Sequence, residues 1–224
     1  MKMNDDIQYK NLKEYIYEEI KSLILRGKLL PGTKLTEMDI AAKMNASRTP
    51  IRAALKRLNE EGLVVFELYK GARVANVDIR DLIEALEIRE NMEATITYYA
   101  SMRITEKEKE ELAEAQEQYK RAVIGGDKAE IIKYDTRFHE IIIRASDNSV
   151  MVKIAEELKD LMVRFRNLYY GDFSRAKKVG LEHDAILNAI LTGEHEKARD
   201  LSMAHIKALR EDVMREHPLE LLDK

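Results

Sequence analysis

Ser47-Arg48-Thr49-Pro50-Ile51-Arg52-Ala53-Ala54-Leu55-Lys56-Arg57-Leu58, followed by Asn59-Glu60-Glu61-Gly62-Leu63-Val64-Val65-Phe66, decides the fold class of this chain. Ser47 suits a helix N-cap, and Pro50 falls in the first turn, where its missing N–H leaves no gap in the helix. Ile51, Leu55 and Leu58 recur at helical spacing and make one apolar stripe. Gly62 ends this helix, which covers roughly residues 48–61. Residues 63–66 then read as a strand, Lys70-Gly71 as a turn, and residues 72–75 as the returning strand.

Upstream, residues 9–26 place Leu12, Ile16, Ile20 and Leu23 at helical spacing until Gly27 and Pro31-Gly32 stop the pattern. A short helix fits residues 36–44, with Ile40, Ala41 and Met44 facing inward. Asn45 follows at the turn, where its short side chain tolerates the left-handed conformation. Three helices and a two-stranded ribbon, in that order, describe a winged helix-turn-helix. From Asp78 onward the pattern is helical alone, over residues 78–103, 105–124, 127–145, 148–170, 172–192 and 194–216. Thr105-x-x-Glu108 is a capping box, Asp127 caps after Gly125-Gly126, and Gly193 breaks the last pair. Short connections predict antiparallel neighbours in a helical bundle. The expected fold is therefore mainly α, with a winged helix-turn-helix over residues 1–76 and an all-α antiparallel bundle over 77–224.

Composition bounds the function. The 224 residues are 45% hydrophobic and 35% charged, which suits a packed and well-solvated globule. The chain has no cysteine, which excludes disulfides, Cys-ligated zinc and a thiol nucleophile. Apolar runs such as Ile141-Ile142-Ile143 are far too short to span a bilayer, and Met1-Lys2-Met3-Asn4-Asp5-Asp6 has no secretory h-region. No membrane association and a cytoplasmic location are expected. Residues 1–76 carry 14 Lys and Arg against 10 Asp and Glu, a net of +4; the remainder carries 24 against 31, a net of −7. A basic head on an acidic body fits an anionic partner for the head.

Arg48 and Arg52 are four apart and share a face at the start of the third helix. A recognition helix presents side chains to the major groove from that place, and arginine can donate two bonds to guanine. Ser47 and Thr49 offer hydroxyls to phosphate oxygens near a helix N-terminus. Lys56, Arg57, Lys70 and Arg73 add cations suited to phosphates or the minor groove. The same pattern also describes a solvated basic face.

The body hides polar residues on apolar stripes. Arg89 and Glu93 fall on the stripe of Ile79, Leu82, Leu86, Ile96 and Ala100. Asp135 and His139 lie on that of Ile131, Phe138 and Ile142; His183 lies between Val179 and Ile186; His205 lies between Leu201 and Ala208. Such burial is costly unless the groups are paired or bind a metal. Three imidazoles and a carboxylate are competent ligands for zinc, nickel or another divalent ion; hydrogen-bonded core residues fit the same pattern. Arg89 with Glu93 reads equally as an internal ion pair or as part of a ligand site. His195 and His217 read as exposed.

The run Leu35-Thr36-Glu37-Met38-Asp39-Ile40-Ala41, with Ser47 to Leu55, Leu58-Asn59-Glu60-Glu61-Gly62-Leu63-Val64 and Gly71-Ala72-Arg73-Val74, resembles the DNA-binding signature of the GntR superfamily of bacterial regulators. Ala53 stands where that family usually has Glu, Asn45 where it usually has Gly, and Met38 where some members place an arginine on DNA. Leu86-Glu87-Ile88-Arg89-x3-Glu93, Asp135-x2-Phe138-His139, Glu182-His183-x2-Ile186-Leu187 and Ala198-x6-His205 resemble the effector domain of its FadR-like subfamily, the FCD domain. The resemblance implies a ligand-responsive transcriptional regulator and not an enzyme. It implies DNA contacts from Thr36, Ser47, Arg48, Thr49, Arg52, Arg57, Lys70, Gly71 and Arg73 to an inverted-repeat operator. It further implies a homodimer, a divalent metal held by Asp135, His139, His183 and His205, and a small carboxylate effector met by Arg89. The alternatives are a metal-dependent hydrolase, and a regulator whose metal is structural or is itself the signal.

Overall fold

The computed structural model describes residues 2–68, 71–169 and 173–217. Lys70 of the expected wing lies outside the described residues. Two compact units result, residues 1–77 and 78–224.

The head runs α1 (Lys2–Leu25), β1 (Lys34–Leu35), α2 (Glu37–Met44), α3 (Arg48–Glu60), β2 (Val64–Glu67) and β3 (Gly71–Val74). Its core joins Ile16 and Ile20 of α1 to Ile51, Leu55 and Leu58 of α3, closed by Val64 and Val74 from the wing. Each of these aliphatic side chains is at most 2% exposed, so each contributes roughly 1.5–3 kcal/mol of hydrophobic stabilisation. α2 buries none of its residues fully; Ile40, Ala41 and Met44 pack against that core from the rim. Asn45 caps α2 in the left-handed region at φ 47°, and its N–H returns to the Ala41 carbonyl.

The wing is a three-stranded antiparallel sheet of order β1-β3-β2, not a two-stranded ribbon. Leu35 pairs with Ala72, and Val64 pairs with Val74. A strand of two residues carries no readable periodicity, so β1 exists only because β3 offers it an edge. Gly71 begins β3 at φ +85°, a conformation that L side chains rarely adopt. Ser47 stands at the N-cap of α3 with extended backbone, yet its side chain makes no capping hydrogen bond. The hydroxyl predicted to cap the helix is thus exposed and uncommitted to it.

The body consists of α4 (Ile79–Arg103), α5 (Glu106–Gly125), α6 (Lys128–Ala145), α7 (Ser149–Tyr169), α8 (Phe173–Leu191) and α9 (His195–Glu216). α4 packs along α9, and α5 packs against α6 and α8. Asp78 caps α4, the Thr105/Glu108 capping box opens α5, and Asp127 accepts from the Ala129 and Glu130 N–H groups at the start of α6. Phe138, Ile141, Ile186 and Ala198 centre one apolar cluster; Leu82, Leu86, Met162 and Ile206 centre another. The polar site lies among residues of these same helices. His195 and His217 are both half-buried. His195 Nδ1 lies 2.9 Å from the Ser101 hydroxyl, a partner that helix spacing could not reveal. Among the described residues no helix is long and apolar enough to cross a membrane.

Candidate functional site

Arg89 and Glu93 project from one face of α4, Asp135 and His139 from α6, His183 from α8 and His205 from α9. All six side chains belong to residues at most 8% exposed, and His183 is fully buried. One ring nitrogen from each of His139, His183 and His205 lies within 4.8 Å of the others. Asp135 Oδ1 is 3.8 Å from His183 Nε2. The His139 and His205 rings stack at 5.3 Å, and Phe138 stacks on His183 at 4.2 Å. The apolar stripes of three helices therefore carry three imidazoles to one point.

Two further carboxylates orient the imidazoles. Glu93 Oε2 lies 3.1 Å from His139 Nδ1, and Glu182 Oε2 lies 2.7 Å from His205 Nδ1. With Nδ1 engaged in both rings, Nε2 is the donor nitrogen left to each. Carboxylate acceptors behind the ligating imidazoles are the usual second layer of a metal site, fixing tautomer and ring angle. Ligand atoms held about 2.0–2.2 Å from one ion stand roughly 3–4 Å apart, and the Asp135–His183 spacing of 3.8 Å falls in that range. The residues present fit a divalent ion.

Glu182 was not singled out as a site residue by the sequence reading. It follows Leu181 and precedes His183, pointing away from the stripe that carries His183, and only the packing of α8 against α9 brings it to His205. Glu93 was legible as a partner of Arg89 but not of His139, which comes from another helix.

Arg89 is held by Glu93, with Nε 2.7 Å from Oε1 and Nη2 also in contact with that oxygen. Burial opposes the charge of Glu93, but the Arg89 guanidinium and His139 overcome it and hold the carboxyl well below its usual range. Burial likewise pushes the His205 imidazole below its ordinary value, outweighing its bond to Glu182. Arg89 Nη1 is buried and has no hydrogen-bond partner. A cavity of about 640 Å³ is lined by residues of α4, α6 and α7, Arg89, Glu93 and His139 among them. That volume is typical of small-molecule sites, which span roughly 300–1,000 Å³.

In the head, Ser47, Arg48, Thr49 and Arg52 are all exposed on the first turns of α3. Arg52 is clasped by Glu37 of α2, Nε to Oε1 at 2.7 Å and Nη2 to Oε2 at 2.8 Å, which leaves Nη1 to other acceptors. Thr36 caps α2 by accepting from the Asp39 N–H at 3.1 Å. Arg57 is half-buried: it lies 3.6 Å over the Tyr17 ring and binds Glu14 at 2.8 Å. Arg73 binds Glu67 and the Gly32 carbonyl within the wing. The structure thus gathers the α3 group on one exposed turn, while Arg57 and Arg73 have intramolecular partners.

Residues 84–208 match the FCD domain, and residues 12–74 match the gntR family of bacterial regulatory proteins. The chain belongs to the GntR family and carries an FCD domain. Such proteins regulate transcription by binding DNA operators, and neither the matched families nor the similar curated proteins are enzymes, which sets aside the hydrolase alternative. The chain is 27% identical to the HTH-type transcriptional regulator YdhC of Bacillus subtilis over 84% of its own length and 85% of that protein's. It is 28% identical to a probable D-xylose utilization operon transcriptional repressor of Paenarthrobacter nicotinovorans, covering 83% and 81%. Escherichia coli McbR/YncC shares the fold at a TM-score of 0.78 and 22% identity, with 92% and 98% covered. Within this GntR-family frame, the histidine cluster, Arg89 and the cavity all fall inside the FCD match.

Proposed function

We propose that this GntR-family regulator is a homodimeric repressor whose FCD domain senses a carboxylic acid beside a bound divalent ion, zinc or nickel. One observation carries the reading. Three imidazoles from three helices meet beside a buried arginine that lines a cavity and has one nitrogen without a partner. Asp135, His139, His183 and His205 would hold the ion, which supplies a Lewis-acid position able to accept a carboxylate oxygen. Arg89 Nη1 donates to the acid, and Glu93 ties that guanidinium to His139, so the two recognition elements move together.

At the head, Arg48 and Arg52 face base edges in the major groove, while Ser47 and Thr49 hold phosphates at the helix start. Thr36 and Gly71 set the backbone of the helix turn and the wing for further contacts, and Lys70 would add a cation to the DNA-binding set. Arg57 and Arg73 contribute mainly by fixing α1 and the wing, given their internal partners. Two heads would occupy the half-sites of an inverted repeat, and acid binding would change their relative placement and so operator affinity. The P. nicotinovorans relative is a probable operon repressor, which supports repression here.

The test uses protein purified without added metal or a polyhistidine tag, and operator DNA selected from a random pool. His183→Ala should lose most of the metal found by elemental analysis and lower the thermal midpoint, because the ion binds only the folded chain. Unchanged metal content removes His183 from the site.

A further inference from the structure

The lining of the FCD cavity says which acid it takes. α7 turns one face to it, with Val152, Ala155, Leu158 and Met162 at three- and four-residue spacing. Met92 of α4 and Ile143 of α6 complete this apolar wall. The uncharged polar residues of the lining are Thr136, Asn148 and Ser149. Thr136 already donates to the Ile132 carbonyl at 2.8 Å. Asn148 Oδ1 already accepts from the Val150 and Met151 N–H groups at the start of α7. Ser149 is exposed. Among the rim charges, Lys159 is bound to Glu140, and Arg137 and Arg144 are both bound to Glu111. Arg89, 5% exposed, is the buried cation of the lining, and its Nη1 has no partner.

We infer that the effector is a monocarboxylate with a hydrocarbon body, aliphatic or aryl, and not a polyhydroxylated sugar acid. This rests on the acid-sensing reading of the same site. The carboxylate meets Arg89 and the hydrocarbon lies along the α7 face. Away from the exposed Ser149 and the rim charges, the hydroxyls of a sugar acid would lose water and face methyl groups or the committed Thr136 and Asn148, unmade hydrogen bonds that disfavour binding. A two- or three-carbon acid would leave most of a cavity of about 640 Å³ unfilled against apolar walls.

The full-length protein, with the metal it carries on purification, is titrated calorimetrically with hexanoate, octanoate, decanoate and gluconate. Affinity is expected to rise roughly three- to fourfold per added methylene, the gain for moving one CH₂ out of water. Gluconate should give no heat where decanoate saturates. Arg89→Gln should abolish binding of every acid. Because that change disturbs a buried ion pair, Val152→Asn at a half-buried position serves as the second variant. It should weaken decanoate several-fold and leave hexanoate nearly unchanged, with the thermal midpoint kept.

Equal affinity for the three alkanoates, or decanoate binding indifferent to Val152→Asn, overturns the hydrocarbon assignment. Gluconate binding with silent alkanoates also overturns it, while acid sensing by the site survives. Silence with every acid overturns both.

Discussion

The head and the body use arginine in opposite ways. Arg52 in the head sits with its side chain 70% exposed, clasped by a half-buried Glu37, and its fold needs it little. Arg89 in the body is 6% exposed in its side chain, against a Glu93 equally buried, and its surroundings depend on the pair. An exposed pair is screened by water and contributes about 0–1 kcal/mol. Removing one member of a buried pair leaves an uncompensated charge and costs several times more. In the proposed roles, function at the head is therefore separable from stability, while function in the body is not.

The sharpest way to break this comparison is Arg89→Ala. Leaving Glu93 buried and unpaired should destabilise the body by about 3–5 kcal/mol in chemical denaturation. A loss below 1 kcal/mol would mean water reaches Glu93 and the pair is not truly buried. Next in size, Arg52→Ala should weaken binding to a selected operator by roughly 5- to 150-fold, relax specificity at one base pair, and leave the thermal midpoint nearly unchanged. Equal loss on random DNA would reduce Arg52 to a phosphate contact.

Glu182→Ala comes third. It removes the acceptor behind His205 and should weaken zinc or nickel binding about 10- to 100-fold, measured by competition with a chelator. Unchanged affinity would confine Glu182 to its contact with Arg175.

The smallest effect is expected from Thr105→Ala at the start of α5. It deletes a capping box and should cost about 1 kcal/mol at neutral pH. The backbone N–H of Thr105, opposed by partial burial, leads in holding Glu108 below its ordinary value of 4.5 and survives in alanine, whereas the Thr105 hydroxyl, which adds to that lowering, is lost. A carboxyl lowered in the folded state stabilises above its unfolded value and stops doing so as pH falls through the folded one. The part of the penalty that comes from the lost hydroxyl should therefore shrink on acidification below the ordinary carboxylate value, as followed by thermal melts.

Much of this was legible because local rules are short-ranged. Pro50 and Gly62 bracket α3, Asn45 turns left-handed after α2, and Thr105-x-x-Glu108 closes its box, each within four residues of sequence. The apolar stripes also told which faces turn inward, and the three histidines on them are buried. What escaped was pairwise and distant. Strand β1 needs β3, some thirty-eight residues away in register, to exist at all. Ser47 looked like a cap because its residue type and position fit, but its hydroxyl makes no such bond. His195 looked exposed because it starts a helix, but Ser101 of another helix meets it.

Sequence by itself determined the order of elements, the winged head, the helical body and the inward placement of Asp135, His139, His183 and His205. Periodicity and caps act within a turn or two of chain, and they are written in adjacent residues. Only the tertiary structure decided that the three imidazoles meet, that Glu93 and Glu182 orient two of them, and that Arg89 lines a cavity beside them. Those facts depend on how α4, α6, α8 and α9 pack. A helix fixes which way its side chains point, but not which side chains of another helix they meet.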